Sequence, residues 1–432
     1  MTQDELSKYS NRNLWTFIIS KIIATFGSSV YSFGISLYLL QLTGSSLNFS
    51  LNLFFGILPT IILSPFAGYL ADRISRKKLV VSSQLLAIAT VCLLFLLLQE
   101  GSVAAGYFYL SSSLLSISSM FISITINASI GNLVEAASIQ KAVSYNQSAS
   151  SLSAIGGPVI GGMLYSFFSI QVFLIILIVA SIVALFMDAS LNFTLFKKQD
   201  GMAGNSAKIE SFWTSFVSGF KYAAGKRLIM KILTIAVWIN FFAAALQVGM
   251  PYIIVQELEM SSQALGFVEA MLAAGMLVMA LSFSRFKSST ARLIPLGLIS
   301  LGVLLAFFVL PGLLPLPAVL QFIILAVSTF MVGASLIFIN NPIGVLMQTE
   351  IEDAYKGRVF SIMQAGATAM APFGIIVYGV LFDYVSPAVI MISSGAVIAL
   401  ISVVMGRNLF EPALEELPAE VTSEKDGYTA SS

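Results

Sequence analysis

Twelve apolar runs dominate the sequence, and each is long enough to cross a lipid bilayer as a helix. They occupy residues 14–40, 47–71, 79–99, 103–128, 143–167, 170–190, 228–253, 264–284, 293–311, 317–341, 359–382 and 386–406. A spanning helix needs about 20 mostly apolar residues, because the hydrocarbon core is about 30 Å thick. Only 10% of the residues are charged, against about a quarter in a typical soluble domain. The pattern predicts an all-α membrane protein with twelve transmembrane helices.

Charge orients these predicted spans in the membrane. If successive spans cross the membrane in opposite directions, every lysine and arginine except Lys21 falls in or beside a connection on one side of the membrane. The opposite connections carry only acids, such as Glu100, Glu257 and Glu259. By the positive-inside rule, both termini are predicted to be cytoplasmic in a multi-pass protein of the plasma membrane.

One long polar connection divides the chain into two halves. We predict an N-terminal six-helix bundle over 1–190, a cytoplasmic linker over 191–227, a C-terminal six-helix bundle over 228–410 and a disordered tail over 411–432. Within the linker, the apolar spacing of 208–225 fits either an amphipathic helix on the inner membrane surface or a plain tether.

The two halves share a repeated pattern. Five pairs of similar residues lie 217 positions apart: Glu135 and Glu352, Lys141 and Arg358, Ser144 and Ser361, Gln147 and Gln364, Gly162 and Gly379. Parallel six-span repeats place a substrate site between the halves, near the middle of the membrane.

A charged motif follows the second run. It reads Gly68-Tyr69-Leu70-Ala71-Asp72-Arg73 and continues as Ile74-Ser75-Arg76-Lys77-Lys78. The glycine permits close helix approach, and the basic residues can cap helix C-termini and bind lipid phosphates. A stop-transfer charge cluster would need neither the glycine nor the Asp-Arg pair. The motif resembles the loop signature of the major facilitator superfamily, with Ser75 in place of the usual glycine.

This resemblance implies the superfamily's twelve-helix fold and a cytoplasmic gate. In the family the aspartate faces the start of helix eleven, and the basic residues meet an acid below helix four. The gate residues implied here are Gly68, Asp72, Arg73, Arg76, Lys77, Glu135 and Arg358. Their expected role is to hold the outward-open state and to separate for inward opening.

The fifth run contains a second motif, Gly156-Gly157-Pro158-Val159-Ile160-Gly161-Gly162. Small residues let two helices approach closely, and the proline removes a backbone donor and bends the helix. The pattern resembles the core of a motif found in antiporters of the superfamily, carried here by Gly157, Pro158, Gly161 and Gly162. Ordinary helix packing explains it equally well.

The start of the eleventh span resembles one particular branch of the superfamily. Gly357-Arg358-Val359-Phe360-Ser361, followed by Pro372 and Gly374, is similar to the macrolide-efflux branch of drug–proton antiporters. That branch implies proton-coupled export of amphipathic drugs such as macrolides, hence antibiotic resistance, by a monomer that needs no cofactor. Related branches export siderophores or move lysophospholipids, so an anionic metabolite or lipid is the alternative substrate. The fourth span lacks the arginine that many proton-coupled drug exporters carry there.

Ionisable residues inside a bilayer are costly and mark candidate functional sites. Glu269 and Asp383 are the candidates for proton coupling. The alternative is that both are ordinary residues at the outer rim of the membrane, where solvent reaches them. Lys21 lies about eight residues into the first span. It contacts either an anionic group or a carboxylate on another helix, or else it reaches back to the inner surface. Together with Lys21, the candidates for the substrate cavity are Asn127, Trp238, Asn240 and Gln247. Polar packing between helices is the alternative for Trp238, Asn240 and Gln247.

Other classes of protein fit the sequence poorly. There is no histidine, and the single cysteine, Cys92, lies in an apolar run, so neither a metal site nor a nucleophile–base pair is expected. A net charge of +1 opposes nucleic-acid binding, which needs excess positive charge. A non-transporting receptor or channel is the remaining alternative, and the chain has no selectivity-filter or nucleotide-binding motif that favours it. Small organic solutes, protons and membrane lipids are therefore the predicted partners.

Overall fold

The computed structural model describes most of the chain. The described residues are 3–101, 104–135, 138–196, 212–283, 290–352 and 369–415, together with the single residues 355, 359, 362, 363 and 366. Over these residues the structure is helical and contains no strand, as the apolar runs predict.

The helices follow the predicted spans closely. In chain order they are α1 Gln3–Thr43, α2 Ser46–Arg73, α3 Arg76–Gln99, α4 Ala105–Leu133, α5 Ile139–Phe167, α6 Ile170–Ser190, α7 Phe212–Gly225, α8 Arg227–Tyr252, α9 Ser262–Ser282, α10 Thr290–Phe308, α11 Leu310–Leu313, α12 Ala318–Glu350, α13 Ala371–Tyr384 and α14 Pro387–Glu415. A short π-helical turn, Ile253–Glu257, continues α8.

Ten segments of the described chain are long and apolar enough to cross a membrane. The two remaining predicted spans correspond to α5 and α13. Helix α5 has 29 residues, enough to cross the bilayer at about 1.5 Å per residue, but it is rich in serine. Helix α13 is a shorter apolar helix of 14 residues. The all-α membrane class is confirmed, and the full count of twelve spans stays a prediction for these two helices.

Short capped turns join the helices at the end of the molecule where α1 and α8 finish, called here the distal end. Ser45, Ser169 and Ser261 each precede a helix, and the side chain of each accepts a hydrogen bond from a backbone N–H of the first turn. Serine is favoured at this position because it satisfies an otherwise unpaired donor. Gly44 precedes the first of these caps with φ at +66°, a conformation that glycine adopts at low cost.

The helices pack as two sets joined along two seams. Helices α1–α6 contact one another, as do α8–α14, and the seams run between α2 and α13 and between α5 and α9. A Cβ atom built on Gly162 of α5 would lie 3.3 Å from Gly266 Cα of α9, and one on Gly379 of α13 would lie 2.5 Å from the Ser50 side chain of α2.

These two close contacts are related by the repeat in the sequence. Gly162 and Gly379 are 217 positions apart, and Ser50 and Gly266 are 216 apart, one short of the same offset. The seams are therefore equivalent contacts of two similar halves, which supports the predicted repeat. The exact domain boundaries stay a prediction.

Two helices extend beyond their predicted ends. Helix α1 begins at Gln3, so the polar residues before the first apolar run continue the helix, and α14 continues to Glu415. Residues 411–415 of the segment predicted to be a disordered tail, 411–432, are therefore helical, and the rest of that segment lies outside the described residues.

The linker contains an ordered helix. Tyr222 of α7 stacks on Tyr355, with ring centroids 4.3 Å apart, and its hydroxyl donates to Glu352 Oε1 over 3.3 Å. Ala223 of the same helix is fully buried against the second set of helices. The C-terminal end of the linker is thus packed on the protein.

Candidate functional site

A cavity of about 390 Å³ lies where the two sets of helices meet. Cavities of about 300–1,000 Å³ are typical of small-molecule sites. Its lining comes from α1, α2, α5, α8, α9, α10 and α12, and comprises Ser29, Ser32, Phe33, Phe49, Leu53, Pro158, Ala243, Leu246, Gln247, Met250, Glu269, Leu272, Leu301, Leu305, Val332 and Leu336. The wall is mostly aliphatic and aromatic, with a few polar groups. We call this the central cavity.

Glu269 is the one ionisable residue among the described residues that line the central cavity. Its side chain is 8% exposed, and no hydrogen bond from the described part of the chain reaches its carboxyl group. A buried carboxylate without partners is costly, so this group favours either a bound proton or a cationic ligand. The predicted coupling candidate is therefore placed where it can meet a solute.

Of the three residues of α8 that were predicted to line the substrate cavity, the structure places one in the central cavity and two outside it. Gln247 lines the central cavity. Trp238 is 45% exposed and packs on Phe241 and Phe242. The Asn240 side chain donates to its own helix at Ala236 O over 2.8 Å. Neither Trp238 nor Asn240 lines this cavity. Trp238 lies on the side of α8 opposite Gln247, and Asn240 lies on the same side as Gln247 but about two turns away along the helix.

The glycine motif of the fifth run holds α5 against α1. Gly157 lies against Ser29, and a Cβ built on Gly161 would approach Val30 O to 3.0 Å. Gly162 forms the contact with α9 described above, and Pro158 lines the central cavity. The motif thus serves close helix packing and also borders the site.

A second cavity, of about 460 Å³, lies inside the first set of helices. All of α1–α6 contribute to it, and we call it the N-terminal cavity. Its polar lining consists of Lys21, Thr25, Ser28, Ser29, Tyr31, Ser32, Thr60, Gln84, Ser112, Ser116, Ser119, Ser123, Ser150, Ser153 and Ser181. Ser29 and Ser32 of α1 line both cavities, so the two spaces adjoin at this helix.

Lys21 faces the N-terminal cavity and is only 3% exposed. Its ammonium group donates to Ser123 Oγ of α4 over 3.0 Å. Asp188 of α6 attracts it electrostatically. Asp188 is fully buried and accepts hydrogen bonds from Ser20 Oγ at 2.5 Å and Gln84 Nε2 at 2.9 Å.

Asp188 is a buried charge that the sequence analysis missed. The signal was present, because an acid near the end of the apolar run 170–190 is as anomalous as Glu269 in its own run. Its position two residues from the end of α6 made it resemble an ordinary boundary residue.

Asp383 lies at the distal end and binds the start of α2. Its carboxylate accepts from Ser46 N at 2.7 Å, Ser45 Oγ at 2.6 Å and Ser46 Oγ at 2.8 Å. At the same end, Gln41 donates to Ser262 Oγ over 2.6 Å, and Gln256 donates to Leu40 O over 2.9 Å. These bonds join the two sets of helices, so the distal end is closed.

The gate prediction falls partly outside the described residues. Gly68, Asp72 and Arg73 lie on the α2 backbone, but their surroundings are not described, and Arg358 lies wholly outside. Arg76 and Lys77 begin α3. Glu135 is exposed, and its amide N–H donates to Ser10 Oγ over 2.9 Å. The exposed Asn127 accepts a hydrogen bond from Asn146 over 2.9 Å, away from both cavities.

Comparisons with known proteins agree with this architecture. A family model described as Major Facilitator Superfamily matches residues 17–375. Macrolide efflux protein A of Streptococcus pyogenes is 24% identical over 407 residues, covering 92% of this chain and 97% of that protein. The uncharacterized MFS-type transporter YfiS of Bacillus subtilis (strain 168) is 27% identical over 414 residues, covering 93% and 95% respectively.

A solved structure shares the fold at low sequence identity. The crystal structure of a bacterial homologue of the iron transporter ferroportin, in an inward-facing state, superposes with a TM-score of 0.68. The two chains are 14% identical, and the match covers 91% of this chain and 98% of the other. At this identity the likeness concerns the fold alone.

Proposed function

Because this chain belongs to the Major Facilitator Superfamily and is a membrane transporter of that family, we propose that it exports small amphipathic drugs such as macrolides in exchange for protons. The observation that supports this proposal most directly is the apolar central cavity, in which Glu269 is the single ionisable residue among the described residues of the lining. The similarity to macrolide efflux protein A over nearly the whole chain supports the same substrate class.

The proposed cycle uses alternating access to the central cavity. An amphipathic molecule entering from the cytoplasm places its apolar body against Phe33, Phe49 and Leu305, and a basic group near Glu269. A proton arriving from outside neutralises Glu269 and releases the molecule. Asp383, the other coupling candidate, is hydrogen-bonded to α2, which favours a role in closing the distal end.

Closure of the cytoplasmic end is assigned to the gate motif around Asp72 and Arg76. We further propose that the protein acts as a monomer in the plasma membrane, with both termini in the cytoplasm and lipids around the helices. The predicted antibiotic resistance follows from export out of the cell.

The test is uptake of a labelled macrolide into inside-out vesicles from an efflux-deficient host, under an imposed proton gradient. We expect accumulation that collapses with a protonophore and is reduced at least tenfold in Glu269→Gln. The matched control is Glu100→Gln, which removes an exposed acid at the end of α3 and should transport normally. Accumulation that survives Glu269→Gln would remove this residue from the mechanism, and absence of any gradient-driven uptake would reject drug export.

A second candidate is transport of an anionic metabolite, siderophore or lysophospholipid. The observation in its favour is Lys21, a buried cation that lines the N-terminal cavity. Under this hypothesis Lys21→Gln abolishes uptake of the anionic solute. A receptor would give no flux of the solute. A channel would give flux that does not saturate and does not depend on the imposed proton gradient.

A further inference from the structure

The N-terminal cavity has a chemistry that a purely apolar drug does not require. Its wall contains a dozen serine and threonine side chains, one tyrosine, one glutamine and one lysine. The central cavity, which adjoins it, is mostly aliphatic and aromatic. A hydroxyl oxygen has two acceptor sites and one donor, so a cavity lined by many hydroxyls is suited to a ligand that carries hydroxyl groups of its own.

The hydroxyl groups of this wall are arranged in pairs contributed by different helices. Thr25 of α1 and Ser153 of α5 are 2.7 Å apart, and Thr60 of α2 and Ser116 of α4 are 2.9 Å apart. Each hydroxyl can donate one hydrogen bond and accept others. Thr60 and Ser116 make no other hydrogen bond among the described residues, so this pair keeps one donor and several acceptor sites for a ligand. Thr25 and Ser153 also donate to Lys21 O over 2.7 Å and to Ala149 O over 2.8 Å, so they can only accept from a ligand.

The positive charge of Lys21 is balanced by Asp188, which lies behind the residues that line the N-terminal cavity. Asp188 is fully buried, does not line the cavity and is held by Ser20 and Gln84. Lys21 therefore presents N–H donors to the cavity without a large excess of positive charge. Only Ser123 accepts from it among the described residues, which leaves donors for a ligand. This balance favours a neutral ligand group over a free anion.

We propose that the N-terminal cavity is a subsite for the neutral, hydroxyl-rich part of an amphipathic substrate, such as a sugar, while its apolar body occupies the central cavity. The proposal rests on the proposed function and deepens it by defining the substrate class. Ser29 and Ser32, which line both cavities, mark the place where the two parts of one molecule are joined.

Gly27 of α1 provides a direct probe of this subsite. It lines the N-terminal cavity, and a Cβ atom built on it meets no atom within 4 Å. A larger side chain at this position enters open space, so it occupies the cavity without displacing a neighbouring helix. Gly106, exposed near the start of α4, also has nothing within 4 Å and serves as the matched control.

The experiment measures protection of an introduced cysteine from a water-soluble maleimide in the full-length protein in nanodiscs. In a Cys92→Ala background, Gly27→Cys reports on the N-terminal cavity and Gln247→Cys on the central cavity. The two ligands are a macrolide that carries a neutral sugar and an amino sugar, and its derivative lacking only the neutral sugar. We expect the first to protect both positions and the second to protect only position 247.

The other outcomes separate the two proposals. If both ligands protect position 247 and neither protects position 27, the subsite is rejected while drug binding stands. Absence of labelling at position 27 without ligand also rejects it, because the cavity is then closed to solutes. If neither ligand protects either position, macrolide transport itself is rejected, and the subsite with it.

A cavity-filling variant supplies an independent measurement. Gly27→Leu should weaken binding of the sugar-bearing macrolide at least tenfold and leave the affinity for the derivative within about twofold. Gly106→Leu should change neither. Equal weakening of both ligands by Gly27→Leu would show a general effect on the fold and would overturn the assignment.

Discussion

The carboxylate of Asp383 on α13 caps the first turn of α2 by accepting the backbone N–H of Ser46 over 2.7 Å. The two residues belong to different sets of helices. An acid at a helix N-terminus is favoured by the helix dipole, and a hydrogen bond to a charged group is worth about 1.5–3 kcal/mol. This contact therefore stabilises the state in which the distal end is closed.

We expect Asp383→Asn to shift the protein towards the state that is open at the distal end. Loss of the negative charge weakens the cap, and about 1.4 kcal/mol corresponds to a tenfold change in the ratio of two states. Electron paramagnetic resonance distances between labels at Phe168 and Leu313, on the two sides of the distal opening, measure that ratio. Glu257→Gln, which removes an exposed acid at the same end, should leave it unchanged. An unaltered distance distribution in Asp383→Asn would show that the cap does not control closure.

The crossing of α9 and α12 depends on two glycines. A Cβ atom on Gly275 would overlap the backbone carbonyl of Phe330, and one on Gly333 would overlap that of Leu272. Gly275→Ala should therefore lower the free energy of unfolding by about 1–3 kcal/mol, the usual cost of overpacking. The control is Gly344 of α12, where an added Cβ atom would meet no atom within 4 Å. Gly344→Ala should be neutral or slightly stabilising, because alanine favours a helix. Thermal unfolding of the two variants in the same detergent makes the comparison, and equal melting temperatures would contradict the tight crossing.

Lys21 and Asp188 should be energetically coupled. Removing one of two buried opposite charges leaves the other uncompensated. Lys21→Gln and Asp188→Asn should each lower the melting temperature, and the double variant should recover part of the loss, with a coupling of about 0.5–3 kcal/mol. A thiol-reactive dye that reports exposure of Cys92, the single cysteine, follows unfolding in all four proteins. Strictly additive losses would show that the two charges do not interact.

The sequence predicts the helices well because membrane helices are set by local hydrophobicity. Every predicted span has a helix in the described part of the chain, and Glu269 was found because a charge in an apolar run is locally anomalous. The cavities were harder to predict, since they depend on which helix faces meet. They also depend on where along a helix the cavity lies: Gln247 lines the central cavity and Asn240 does not, although the two lie on one face of α8, about two turns apart. The electrostatic attraction between Lys21 and Asp188 connects residues 167 positions apart in the sequence, which no local pattern reveals.

The linker helix α7 should detach when its aromatic contact is removed. Tyr222 stacks on Tyr355, bonds Glu352 and lies under the Lys226 ammonium at 5.7 Å. An aromatic pair contributes about 0.5–1.5 kcal/mol beyond its buried area, so Tyr222→Ala should raise the population of the detached linker about 2–10-fold. The rate of tryptic cleavage after Lys221 and Lys226 measures that population, because cleavage follows the open form when opening and closing are fast. Phe220→Ala, which removes a 44% exposed ring from the same helix, should leave cleavage close to that of the unchanged protein. If both variants are cleaved at the same rate, the stacking on Tyr355 does not hold the linker, and contacts around Ala223 must do so instead.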